Sequence, residues 1–348
     1  MENDEKSGEV RKIQVTGRGS YIISLPKRWV KEKNLNRGEQ IVFSTDEDGS
    51  LRIMARTGIK KPKPLETTIT VFSQKNDLES ITRRIVSLYL IGFNVIRVRT
   101  TEARFGSSQS DYIREFVRKK LVGTEVVTES PNEIVLQILI SYPELSVENA
   151  LRRMVIIALA MVRDAMTALA QKDDALAGEV LKMDDEVDRF GFYIVRQLKT
   201  AVQDRSVIHR IGLGSGRDII GYRLVAKSVE RAADHAAKIA ENVIAMKQSV
   251  SPKLLEKINR ISELATKVLE DAMTALYTRN YEAAEGVFKR MSRIESLERE
   301  AIVDINRQRI DPVQMASLRL ILESLRRVGE YGSDIAEVVL NLTAVEIA

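Results

Sequence analysis

Apolar positions along the chain follow two different periods, and the change from one to the other divides it. Residues 11–16, 21–25, 39–44 and 51–54 carry short alternating runs of β-formers between Gly-, Asn- and Asp-rich turns, which predicts four strands. Pro26 opens a helical stretch at 27–33, as proline does at a first helical position. Strands this short bury too little surface to stand alone, so the segment is expected to pair with a second copy. A basic linker at 58–64 holds Pro62 and Pro64, which favour a semi-rigid spacer. Residues 65–143 then read β-α-β-α-β-β, with strands at 67–72, 94–99, 125–128 and 134–140 and helices at 78–91 and 110–121. That order predicts a small α/β sandwich, without a catalytic or ligand motif, serving as a spacer or oligomerisation layer. From Ser146 onward the period is helical, broken near Asp173, 204–216, 249–252, 279–281 and 311–312.

The helical part repeats itself. Asp164-Ala-Met-Thr-Ala-Leu169 recurs unchanged 107 residues later as Asp271-Ala-Met-Thr-Ala-Leu276. Residues 230–241 align with 326–337 at an offset of only 96, so the first copy holds 11 extra residues, expected in the loop around 203–217. Two tandem three-helix units follow, at 146–250 and 251–348.

Composition narrows the chemistry. The chain has no cysteine and two histidines, His209 and His235, which removes thiol nucleophiles, thiolate zinc sites and most histidine acid–base schemes. An enzyme is not expected. Gly212-Leu-Gly-Ser-Gly216 lacks a following Gly-Lys-Ser/Thr and a preceding strand, so it reads as an inter-helix loop. His235, in an Ala-rich helix, is expected to be packed or hydrogen-bonded. The strongest apolar stretch, 154–162, lies between Arg153 and Arg163 and is about half the length that spans a bilayer. The acidic first residues lack an export signal. A cytoplasmic location without membrane insertion is expected.

The net charge is +5, yet residues 11–37 hold eight Lys and Arg against Glu32 alone, so the remainder is net negative. Concentrated basicity is the footprint of a polyanion-binding module. The run Gly17-Arg-Gly-Ser-Tyr-Ile-Ile-Ser-Leu-Pro-Lys-Arg-Trp29, followed by Leu35-Asn-Arg-Gly38, resembles the SpoVT/AbrB family of swapped-hairpin transcription factors. The resemblance implies an intertwined homodimer over 1–58, or a higher homo-oligomer, that lays Arg11, Lys12, Arg18, Lys27 and Arg28 on duplex DNA. A module that only pairs chains is the alternative.

Acidic residues carry the other signal. Glu230 and Asp234 stand at i, i+4 on one helical face, and Asp185 and Asp188 at i, i+3 on an earlier helix. If those helices are neighbours, the four carboxylates suit a hard or borderline cation. A solvated acidic stripe paired with Arg189 and Arg231 is the competing reading. Val229-Glu-Arg-Ala-Ala-Asp-His-Ala-Ala-Lys-Ile-Ala-Glu241 resembles the signature of PhoU domains, the phosphate-signalling regulators built from two three-helix repeats. The resemblance covers about 146–345 and implies a divalent or ferric metal (Fe, Zn, Mn or Mg) held by Asp185, Asp188, Glu230 and Asp234. The second repeat departs from the pattern, with Arg326 at the Glu position, Glu330 at the Asp position and Ser292 opposite Asp185. Arg326 is expected to pair with Glu295 or Glu330.

The chain thus reads as multidomain and mostly α: a swapped-hairpin β N-terminal domain, a small α/β middle domain and a C-terminal PhoU-like bundle. The function expected is DNA-binding regulation of phosphate uptake. The alternative is a signalling adaptor that binds a phosphate transporter ATPase or sensor kinase without binding DNA.

Overall fold

The structure, a computed structural model, describes residues 9–17, 19–45, 49–55, 65–72, 78–140, 145–308 and 310–344. Arg18, the acidic turn at 46–48 and the linker at 58–64 lie outside the described residues. Two compact units result, Met1–Pro64 and Leu65–Ala348.

In the first unit β1 (Gln14–Thr16) pairs antiparallel with β2 (Ser20–Ile22), Val15 opposite Tyr21. After α1 (Lys27–Glu32), β3 (Ile41–Thr45) pairs with β4 (Leu51–Ala55), Phe43 opposite Ile53. The two ribbons are separate sheets, and no described residue of this unit is buried. Tyr21 is 77% and Phe43 50% exposed. β1 and β2 are shorter than their β-forming runs, because an isolated two-stranded ribbon is held only where its own partners face it.

In the second unit a four-stranded sheet is built from β5 (Glu66–Val71), β6 (Val95–Thr100), β7 (Thr124–Ser130) and β8 (Glu133–Ile138). Its order is β5-β6-β8-β7, with β5 and β6 parallel and the other pairs antiparallel. Strand alternation buries Ile96 and Val98 of β6. The i, i+4 pairs Ile81/Ile85 of α2 (Leu78–Ile91) and Ile113/Val117 of α3 (Ser107–Lys120) join them in one core. α3 starts three residues earlier than the sequence pattern implies, because the Gln109 side chain caps the Gly106 N–H at 3.2 Å.

The bundle consists of α4 (Val147–Gln171), α5 (Asp174–Gln203), α6 (Gly216–Ala245), α7 (Pro252–Thr278), α8 (Tyr281–Arg307) and α9 (Pro312–Thr343). The starts of five of them have a local cause. Ser146, Asp173, Asn280 and Asp311 accept hydrogen bonds from first-turn N–H groups, and Pro252 and Pro312 sit at first helical positions. The extra residues of the first repeat are not all in the loop. α5 has 30 residues against 27 in α8, and the α5–α6 connection, which carries two short 3-10 turns, supplies the rest. Gly212 turns that connection in the left-handed region, φ 86°, where a side chain would be strained.

α4 is apolar and long enough to cross a membrane by length and composition, more than the 154–162 stretch alone implied. Ala150, Met154, Ala158, Met161 and Ala165 are buried in the bundle core, which accounts for its apolarity.

The α/β layer keeps its own core but forms one compact unit with the bundle. Phe192 of α5 packs against the layer's core, and Ile140 touches both cores. Buried Arg196 of α5 donates to the Tyr89 carbonyl and, at 3.2 Å, to the Gly92 carbonyl, satisfying the C-terminal end of α2. Its guanidinium also lies 4.9 Å from the centre of the Tyr89 ring.

Candidate functional site

The acidic signature lies where α5 and α6 pack along each other, beside the last turn of α3. Glu230 and Asp234 occupy one face of α6, and Asp184, Asp185 and Asp188 lie on α5. Asp184 was not among the expected residues, although its i, i+4 spacing to Asp188 was readable. Burial, then the nearby Asp188 and Asp234 carboxylates, push the Asp184 carboxyl up to about 6. Asp234 is also raised, by burial first, then by Glu230 and Asp188. Asp184, Asp188 and Asp234 therefore share one electrostatic neighbourhood.

The sequence gives repeat 1 no cation in place of Arg326, but the fold brings one from another layer. Lys120, the last residue of α3, places its Nζ 2.6 Å from Asp185 Oδ1 and 2.8 Å from Asp188 Oδ2, with its side chain 19% exposed. Burial opposes its charge, but the hydrogen bonds to Asp185 and Asp188 outweigh it and leave the Lys120 pKa raised. Lys227 binds Glu230 at 2.6 Å from one turn earlier on α6. Among the described residues, no three Asp, Glu or His side chains converge on a point that suits a cation. As arranged, the four expected metal residues do not fit a shared ion. Arg189 and Arg231 do not neutralise them either: Arg189 pairs with Glu186 at 3.3 Å, and the Arg231 guanidinium lies 5.9 Å from the Tyr331 ring.

In the second repeat Arg326 of α9 pairs with Glu330 and, at 3.1 Å, with Glu298. Glu330 was expected; Glu298 takes the place expected of Glu295, one helical step further along α8. Arg327 adds a bond to Glu330 at 2.7 Å. His235 and Tyr331, equivalent positions in the two repeats, meet across α6 and α9 with ring centres 5.8 Å apart. His235 Nδ1 lies 3.2 Å from Ser324 Oγ, and burial, then Lys238 and Arg327, pull its pKa down to about 4. It is a packed, hydrogen-bonded histidine, and Gly212–Gly216 lies at an inter-helix connection that opens α6.

Of the expected DNA-contacting residues, Lys27 and Arg28 are exposed in the first turn of α1, and Arg11 and Lys12 are exposed just before β1. Arg28 pairs with Glu32 at 2.9 Å and Arg11 with Glu9. Arg18 lies outside the described residues.

Comparison with known proteins follows this division. The profile of the antidote-toxin recognition protein MazE, a bacterial antitoxin, matches residues 14–64, which gives the first unit a MazE/AbrB-like character. A Rhizobium meliloti protein named a phosphate-specific transport system accessory protein PhoU homolog is 26% identical over 51% of this chain and 76% of its own length. A Clostridium acetobutylicum protein of the same name is 22% identical over 56% of this chain and 89% of its own. The crystal structure of PhoU from Pseudomonas aeruginosa matches with a TM-score of 0.52 at 23% identity, covering 57% of this chain and 96% of that one. The PhoU phosphate transport regulatory protein from Streptococcus pneumoniae matches with a TM-score of 0.50 at 20% identity, covering 58% and 95%. Those two likenesses establish the bundle's fold. The PhoU domain profile matches residues 151–243 and 258–339, one segment on each three-helix repeat and together just over half of the residues, so the chain belongs to the PhoU family.

Proposed function

We propose that this protein is a cytoplasmic, dimeric DNA-binding regulator of phosphate uptake, non-enzymatic, whose helical bundle senses or binds phosphate-transport components. The observation that carries the reading is the first unit: eight basic residues against one acid within 11–37, in a module where no described residue is buried. A module in which no described apolar side chain is buried needs a partner to make a core, and a second copy doubles the positive charge. The PhoU relatives, named as accessory proteins of phosphate-specific transport, supply the physiological context.

The test is titration of the full chain with duplex DNA across a salt series. Each phosphate neutralised by Lys or Arg contributes about −0.9 to the slope of log K against log salt. The double variant Lys27→Ala/Arg28→Ala should flatten that slope by roughly 2 to 4, according to whether one or both copies use both residues. No DNA binding at low salt by an intact dimer would overturn the reading. The transport names of the relatives would then favour a PhoU-type adaptor that docks on a transporter ATPase or sensor kinase.

A further inference from the structure

We infer that the ammonium of Lys120 is the resident cation of the first repeat's acidic motif, and that the motif serves to seat the α/β layer on the bundle rather than to hold a metal. The inference goes beyond DNA binding and does not depend on it. A single Nζ bridging Asp185 and Asp188 at 2.6 and 2.8 Å stands where an ion shared by those carboxylates would have to stand. A metal there would need its oxygens at about 2.0–2.2 Å and would meet a positive charge already in place.

Lys120 is also placed by structure that needs no metal. Arg196 fixes the end of α2 through two carbonyls, and Tyr89 Oη donates to the Val122 carbonyl at 3.1 Å, tying α2 to the chain just past α3. The last turn of α3 is thereby held over α5. Lys227 occupies Glu230 in the same way from within α6. The second repeat reaches the same end differently, since Arg326 and Arg327 of α9 neutralise Glu298 and Glu330. Each repeat therefore closes its signature with a side-chain cation. Only the first borrows that cation from another layer, and this gives the α/β domain a role: it covers the signature face of repeat 1.

Two measurements on the full chain test the inference. Dialysis against Mn²⁺, Fe²⁺ or Zn²⁺ followed by elemental analysis should leave wild type without stoichiometric metal. A metal retained at one per chain and lost in Asp188→Asn would overturn it. Hydrogen exchange of Lys120→Met should rise about tenfold in the last turn of α3 and in α5 around 184–190, the equivalent of about 1.4 kcal/mol for a charge-assisted contact. Lys120→Arg should keep wild-type protection. The charge swap Lys120→Glu/Asp188→Lys should recover part of what Lys120→Glu loses, and this keeps the test decisive if Lys120→Met folds poorly. Unchanged exchange in both Lys120→Met and Lys120→Glu would refute the seating role.

Discussion

Asp173 and Asn280 stand 107 residues apart and do the same thing, each accepting a hydrogen bond from an N–H in the first turn of the middle helix of its repeat. The residues just before them, Lys172 and Arg279, both adopt the left-handed conformation, with φ of 54° and 48°. Ala165 and Met166 are buried in the first repeat, as Ala272 and Met273 are in the second. Against this fidelity, Glu230 in the first repeat corresponds to Arg326 in the second at the signature position, and Lys120 from α3 does for one repeat what α9 does for the other. The difference separates two kinds of constraint. Positions that terminate a helix or fill the core are fixed by geometry, which both copies share. Charges at the signature need only be neutralised locally, and any cation the fold delivers will serve.

The sharpest way to break this equivalence is at a position where the copies differ in the core. Gly332 of α9 corresponds to Ala236 of α6. A Cβ on Gly332 would come within 2.7 Å of Val268 Cγ1 and 3.0 Å of the Leu269 backbone nitrogen. Backbone cannot step aside as a side-chain tip can, so α7 and α9 would be forced apart. Gly332→Ala should cost about 2–3 kcal/mol from overpacking, only partly offset by about 1 kcal/mol of better helix propensity. Ala236→Gly should cost less, about 1 kcal/mol from propensity and a small lost methyl. Equilibrium denaturant unfolding compares them. Equal costs would mean that the two helix crossings are equally close, contrary to the contact at Val268.

Next in size is the contrast at the signature itself. Arg326→Met removes the partner of Glu298, whose carboxyl burial already raises, and one of the two cations on Glu330. A half-buried carboxylate left unpaired costs roughly 1–2 kcal/mol. Glu230→Ala should behave oppositely. Glu230 repels Asp234, so its loss relieves that repulsion while surrendering only a partly exposed pair with Lys227. Stability should then stay within about 0.5 kcal/mol of wild type, as surface pairs contribute little. A Glu230→Ala variant destabilised as much as Arg326→Met would show that the first signature is more tightly integrated than its ion pairs indicate.

Most helix ends were legible in the sequence because their causes are local. Asp173, Pro252, Asn280 and Pro312 act within a turn of themselves, and the helices start at or beside them. The internal repeat is legible for the same reason, though its extra residues divide between the loop and a longer α5. What could not be read was pairing across layers. Lys120 is 68 residues from Asp188, and nothing in either segment announces that α3 will end over α5. The nearer candidate, Arg189, pairs through one guanidinium nitrogen with Glu186 at i−3, while its Nε is buried without a hydrogen-bond partner. Arg326 is expected to pair with Glu295 or Glu330, and it pairs with Glu330 and with Glu298, three residues beyond Glu295 on α8. In the first unit the basic cluster was plain in the sequence, but the absence of a buried side chain among the described residues is visible only in three dimensions.

The smallest expected effect tests the geometric half of the comparison. Asp173 accepts from the Leu176 N–H and Asn280 from the Ala283 N–H, both at 2.9 Å. Each satisfies one of the first-turn donors that an α-helix leaves without a partner, and each sits in extended backbone rather than in the helix. Replacing either by Ala removes the acceptor but no core contact, and should cost about 1 kcal/mol. Asp173 carries a negative charge at a helix N-terminus and Asn280 does not, so Asp173→Ala should cost a few tenths of a kcal/mol more at low salt. That excess should disappear as ionic strength rises, because the helix-dipole interaction at an exposed end is screened. Denaturant midpoints for both variants at low and high salt measure the difference. Costs that differ by more than about 1 kcal/mol at high salt would mean that the two turns, alike in backbone and in position, do not bear the same load in their repeats.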